Sequence, residues 1–353
     1  MMHRLTLVAA GLLLLVACSG DDGGDAADTS VPETTTTTSA PLDPADVPAA
    51  PSAGCGATPE VPTGETQEAL SSGGREWAYA RHVPPAHDGT TPLPLVLDLH
   101  GLIEGGPIHA LHTEMGAFGD EQGFVTLTPD SGREPAQWKL TGDRDVAFMV
   151  DLLDDVEADL CIDTNREYST GLSMGGLMTT VLSCRLADRI AAAAPVAGIA
   201  IPEDCTPSRP VPAVIFHGTG DPILAYDGGL GSGAASLPLP GSSGETLGDM
   251  DEAESSATNE LLPGAEASAA AWAERNDCGS GVTEEAVADD VDLLTYDCPP
   301  DATVELYRVD GGGHTWPGSA FDQAIGDIVG TVTTSISANE VMWAFFQDHP
   351  LPA

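Results

Sequence analysis

Basic residues are scarce in this 353-residue chain: 12 Lys plus Arg stand against 55 Asp plus Glu, for a formal charge of -43. So broad a negative field repels polyanions, which excludes nucleic acid as a partner; acidity of this kind reads as surface solvation rather than as a cation site. Metal-ligand patterns are missing too. There is no Asp-x-Asp-x-Asp-Gly loop, and the seven cysteines, at 18, 55, 161, 184, 205, 278 and 298, include no Cys-x-x-Cys or Cys-x-x-His spacing. No metal and no organic cofactor is therefore expected. Long apolar runs are also absent: Leu5 to Ala17 falls short of the roughly 20 residues of a spanning helix, and no other stretch approaches that length. What the chain does have is 42% hydrophobic content with 40 Gly and 28 Pro, enough for a large core with many turns.

The N-terminus sets the compartment. Arg4 precedes the apolar run, and Leu15-Val16-Ala17-Cys18 closes it, the pattern of a signal peptide. Small residues before a cysteine followed by Ser19 resemble the lipobox of bacterial lipoproteins. That resemblance implies lipidation at Cys18 and anchoring to the outer face of the bacterial cell membrane by lipid alone; ordinary cleavage with loss of Cys18 would give a secreted protein instead. Residues 19–54, rich in Asp, Thr, Ser and Pro, read as a disordered tether. Residues 55–353 read as one α/β domain, interrupted by an acidic Gly/Ser-rich stretch at about 228–267 that is expected to be a surface insertion more decorative than functional. The remaining six cysteines suit three disulfides in an exported chain. Sequence does not choose among the pairings, but local closure favours Cys184–Cys205 and Cys278–Cys298, which leaves Cys55–Cys161.

Strand and helix signals alternate, as in a mostly parallel sheet covered on both faces. Arg75–Val83 alternates in polarity, whereas Leu93–Leu99 and Phe124–Thr128 are apolar runs. Asp145–Leu160 has helical spacing in Val146, Met149, Val150, Leu153 and Val156. Tyr168–Thr170, Ala191–Val196, Ala213–His217 and Thr303–Val309 supply further strands, and Ala338–Gln347 a closing helix.

Gly171-Leu172-Ser173-Met174-Gly175 lies between a strand and a helix, the setting of a nucleophile elbow. A serine hydroxyl needs a base and an orienting carboxylate to become a nucleophile. In this fold class the acid follows the serine and precedes the histidine; Asp221, in the turn just after the strand Ala213–His217, is the choice, with Asp227 and Asp310 as competitors. His314 stands after three glycines that let its loop approach closely, and His100 and His217 are expected to bond locally. The oxyanion donors would be the N–H of Met174, directly after the elbow, and of Leu102, after the strand that ends at Leu99.

Together, His100-Gly101-Leu102, Gly171 to Gly176, His217-Gly218-Thr219-Gly220-Asp221 and Gly312-Gly313-His314-Thr315-Trp316-Pro317-Gly318 resemble the polyhydroxybutyrate depolymerase and feruloyl esterase family. The similarity extends from about Cys55 onward, including Trp138 and Met342 to Phe346. It implies an α/β-hydrolase fold, a Ser173–His314–Asp221 triad and a place for Trp316 in the acyl pocket. The substrates implied are feruloyl or acetyl esters of polysaccharide, or short hydroxyalkanoate oligomers. The chain departs from the family in the stretch 228–267. A serine peptidase on the same fold and a non-catalytic solute-binding lipoprotein are the competing functions.

Overall fold

The computed structural model describes residues 44–57, 61–202, 204–240, 242 and 244–352, all within one compact unit, Pro41–Ala353. The expected signal peptide, the lipidation site Cys18 and most of the tether lie outside the described residues. The strands are β1 (Gly64–Ser72), β2 (Arg75–Val83), β3 (Leu93–Leu99), β4 (Val125–Pro129), β5 (Ile162–Leu172), β6 (Ile190–Val196), β7 (Ala213–Gly218), β8 (Val282–Ala288), β9 (Val291–Tyr296) and β10 (Val304–Val309). They form a single sheet in the order β1-β2-β4-β3-β5-β6-β7-β10-β9-β8. The centre, from β4 to β10, pairs parallel; β1, β2, β9 and β8 extend it antiparallel at the two ends. This is the α/β-hydrolase architecture.

The helices are α1 (Gly105–Thr113), α2 (Met115–Gln122), α3 (Arg144–Asp159), α4 (Met174–Arg185), α5 (Glu252–Glu260), α6 (Ala265–Arg275), α7 (Ala320–Ala324), α8 (Gly326–Val329) and α9 (Ala338–Gln347). Side chains alternate across a strand, so each central strand feeds two cores. Leu95, Leu97 and Leu99 of β3 pack with Phe148, Leu152, Met178 and Leu182 of α3 and α4, whereas Val96 packs on the other face with the cluster that holds Phe124, Met342 and Phe346. A third cluster seats Trp272 of α6 against Ala213, Ile215 and Leu306. Continuous apolar strands follow from this two-sided burial. The edge strand β8 is exposed, and its Glu284 pairs with Arg308, a charged edge that resists further strand pairing.

The structure pairs Cys55 with Cys161, Cys184 with Cys205, and Cys278 with Cys298. It moves the start of the folded unit toward the N-terminus relative to the expected boundary at residue 55. Val47 and Ser52 are buried, Ser52 Oγ donates to Leu160 O and accepts from Ile162 N–H, and Pro51 bridges to Asp163. The last residues of the expected tether are thus pinned beside β5, because the open backbone groups around 160–163 find partners there. The stretch 228–267 is also not a loose decoration: it carries a bridge from Pro238 to Thr246 and the whole of α5, and it walls a cavity.

Candidate active site

The site is built where parallel strands end. β5 runs through Leu172 into Ser173, whose φ of 59° and ψ of -119° mark a sharp turn into α4. An L-residue held there stores strain on the order of 1–3 kcal/mol, which the surrounding bonds must impose. Ser173 N–H donates to Val196 O at 2.8 Å, and Leu177 N–H to Ser173 O at 3.0 Å. Gly175 is required by close approach: a Cβ at that position would stand 1.9 Å from Leu99 O and 2.9 Å from His100 O. Only glycine lets the start of α4 press against the loop that carries Leu102.

Asp221 follows β7 and His314 follows β10, its neighbour in the sheet. The two strand-end turns lock together, since Gly220 N–H donates to Gly312 O at 2.8 Å and Gly311 N–H to Thr219 Oγ1 at 2.7 Å. Across that lock, Nδ1–H of His314 donates to Asp221 Oδ2 at 2.7 Å, and both side chains are buried. The bond fixes the tautomer and leaves the Nε2 lone pair of His314 free to accept a proton. Asp221 Oδ1 accepts the N–H groups of Ile223 and Leu224. Burial pushes the Asp221 carboxyl up, but the contacts with His314 and His217 outweigh it and hold the group below the usual carboxylate range. For His314 burial acts downward, and the charge of Asp221, with smaller help from Glu104 and Asp322, raises it above an ordinary imidazole.

The competing acids do not meet His314. Asp227 is exposed, and the Asp310 carboxylate is 63% exposed and turned toward Arg308. His217 donates from Nε2 to Leu224 O at 2.9 Å. His100 accepts Ser131 N–H at Nε2 and donates from Nδ1 to Gly101 O at 2.7 Å, and burial lowers its pKa. Both therefore brace loops. Trp138 adds a further brace, donating from its indole to His100 O and from its backbone to Met174 Sδ.

Ser173, Met174 and Leu102 share the wall of a cavity of about 690 Å³. Trp316, expected in the acyl pocket, is not among the described residues of that wall. It is 2% exposed, packs in the core that also holds Trp343 and Phe346, and donates its indole N–H to Asn339 Oδ1 at 2.8 Å. The reason is the same bond that organises its loop: Trp316 N–H donates to the buried carboxylate of Asp322, which draws the ring inward.

A second layer of charge went unread in the sequence. His109 Nε2 lies 2.8 Å from Asp98 Oδ1, and Glu104 stands between His109 Nδ1 at 3.4 Å and His112 Nε2 at 3.6 Å; His112 Nδ1 bonds to Asp322. Glu104 also accepts Gly101 N–H at 2.8 Å, so the network joins the loop of Leu102 to the loop of His314. Burial opposes charge on both groups, yet their contacts hold the Glu104 carboxyl down at about 2 and raise His109 to about 10. The spacing of His109 and His112 on one helix was the available signal, but their carboxylate partners lie on other elements. No cluster of side chains arranged to hold a metal ion occurs among the described residues.

No family model matches the chain. Among curated proteins, it is 34% identical over 133 residues to a bifunctional acetylxylan esterase/xylanase of Neocallimastix patriciarum, covering 38% of this chain and 20% of that protein. It is 30% identical over 196 residues to the probable feruloyl esterase C of Aspergillus clavatus, covering 54% of this chain and 69% of that protein. It spans about 65% of the length of the feruloyl esterases C of Aspergillus niger and Emericella nidulans. Among solved structures, an acetyl xylan esterase from Aspergillus awamori aligns with a TM-score of 0.49 at 12% identity, over 74% of this chain and 98% of that one.

Proposed function

The chain belongs to the feruloyl esterase family of the α/β-hydrolases, and we propose that it is a serine esterase in which Ser173, His314 and Asp221 act as the triad. One observation carries the proposal: a strained serine between β5 and α4 opens onto a cavity, while β7 and β10, which follow β6 in the same parallel run, end in a bonded Asp–His pair. Ser173 Oγ attacks the ester carbonyl as its proton passes to His314 Nε2, and Asp221 stabilises the imidazolium. The N–H groups of Met174 and Leu102 hold the oxyanion. His314 then protonates the leaving alcohol and takes a proton from the water that releases the acid. Carboxylic esters are the substrate class. Feruloyl and acetyl esters of polysaccharide and short hydroxyalkanoate oligomers are the first to test, in keeping with the names of the relatives and with the family motifs. The three disulfides fit export to an oxidising exterior, and we extend this to lipid attachment through Cys18.

The test is hydrolysis of p-nitrophenyl esters, methyl ferulate and hydroxybutyrate oligomers by the full chain and by Ser173→Ala. Loss of the nucleophile is expected to lower kcat on the order of 10⁴-fold or more. A variant as active as the parent would refute the triad.

A further inference from the structure

Apart from Met250, the only large apolar side chains of the stretch 228–267 are its leucines, and all six of these, Leu230, Leu237, Leu239, Leu247, Leu261 and Leu262, line the cavity that opens at Ser173. None of the six belongs to a packed core cluster; five are half-buried and Leu261 is 62% exposed. Leucines of a surface segment that turn to one side without packing partners form an apolar wall that lacks an occupant. The opposite wall continues the same chemistry with Leu102, Leu140, Leu177, Val181, Ile201 and Leu224.

The polar side chains on the wall besides Ser173 are Thr141, Arg185, Asp204 and Thr258, and Arg185 is bound to Asp143 at 2.5 Å. Among the described residues, no aromatic ring lines the cavity. An acetyl group would cover only a small part of this surface with its single methyl. A feruloyl ring would bring a phenol and a methoxy group against a wall made mostly of leucine, where a polar group away from those four side chains loses its water without a partner. A volume of about 690 Å³ is that of a site for a drug-sized ligand.

We infer that the cavity is an acyl pocket selective for saturated aliphatic chains longer than acetyl. The inference rests on the serine esterase reading, since it takes Ser173 as the attacking group at the mouth of the pocket. Both substrate carbons and leaving alcohol keep the chemistry already described; only the acyl group is specified.

The experiment compares kcat/KM of the full chain on p-nitrophenyl acetate, butyrate, hexanoate and octanoate with that on methyl ferulate and methyl octanoate. Each methylene added within the pocket is expected to raise kcat/KM by up to about fourfold, the rate equivalent of burying one CH₂. Methyl octanoate is expected to exceed methyl ferulate. Leu237→Asn and Leu239→Asn should each lower the octanoate-to-acetate ratio by about tenfold, while Leu237→Met should largely preserve it; thermal melting of each variant reports folding. Activity highest on acetate, methyl ferulate preferred to methyl octanoate, or a ratio unmoved in folded Asn variants would overturn the pocket assignment alone. Absence of hydrolysis on every ester, or full activity in Ser173→Ala, would instead sink the esterase reading on which it rests.

Discussion

Asp221→Asn probes the candidate triad at an atom with no substitute. In the folded protein both carboxylate oxygens meet donors: Oδ1 takes Ile223 N–H at 2.7 Å and Leu224 N–H at 2.9 Å, and Oδ2 takes His314 Nδ1–H at 2.7 Å with His217 Nε2 at 3.3 Å. A carboxamide offers one acceptor oxygen and one donor nitrogen. If the oxygen stays on the two backbone groups, the NH₂ faces His314 Nδ1 and selects the tautomer protonated on Nε2, which cannot accept the proton of Ser173. If the amide turns over, two buried N–H groups lose their acceptor at about 1–3 kcal/mol each, and the turn that carries the acid loosens. Either outcome removes the charge that stabilises the imidazolium. The expected loss in kcat is on the order of 10⁴-fold, or about 5 kcal/mol of transition-state stabilisation.

The pH profile supplies a second reading of the same variant. His314 works as a base only when neutral, so kcat/KM falls as pH drops through its pKa. That pKa is raised in the folded protein, chiefly by Asp221 acting against burial, so the acid limb of the parent should lie above the ordinary imidazole value of about 6.5. In the residual activity of Asp221→Asn the limb should move to lower pH. Initial rates on p-nitrophenyl butyrate from about pH 5 to 9 measure both effects, with Asp227→Asn and Asp310→Asn as the comparison. The reasoning is refuted if Asp221→Asn stays within about tenfold of the parent, or if either comparison variant loses more.

Gly175→Ala should reduce kcat by roughly 10²-fold or more with little change in circular dichroism, because its Cβ would meet Leu99 O and shift the Met174 N–H from the oxyanion; a fully active variant would show that this approach is dispensable. Glu104→Gln should lower unfolding free energy at neutral pH by up to about 3 kcal/mol in urea titrations, the value of a carboxyl held from 4.5 down to about 2. Since a depressed pKa stabilises above the unfolded value and that gain is lost as pH falls through the folded one, the gap between variant and parent should close between 4.5 and about 2; a gap independent of pH would deny the charge its role. Removing the Cys55–Cys161 bridge, which spans 106 residues, should cost about 4–5 kcal/mol. That exceeds the roughly 3 kcal/mol expected for Cys278–Cys298, which spans 20; the reverse order of urea midpoints would count against loop entropy as the source.

Local stereochemistry made much of the fold legible. Arg75–Val83 and Ala338–Gln347 occupy the bounds that their periodicity indicates, because the 2.0 and 3.6 repeats state directly which side of an element is buried, and Leu93–Leu99 those of its apolar run, as a strand covered on both faces requires. The hairpin of β8 and β9 escaped that reading: β8 is exposed along its length and rich in Glu, so it carries no apolar face to detect. The start of the folded unit near residue 44 escaped it as well. Nothing in Ser52 or Pro51 announces a partner, and the groups they bond to lie more than 100 residues away at Leu160 and Ile162.

The sequence by itself determined the elbow around Ser173, the turns that follow β7 and β10, and the acidic, basic-poor surface, since each depends on residue type over a few neighbouring positions. Tertiary structure alone decided that Asp227 and Asp310 turn away from His314, that Trp316 packs in the core, and that the leucines of an apparently plain insertion form a wall at Ser173. It alone joined His112 to Asp322 across 210 residues and linked the loops of Leu102 and His314 through Glu104. The physical reason is that φ, ψ and side-chain periodicity are local quantities, whereas a cavity and a charge network are sets of distances, fixed only when remote segments have packed.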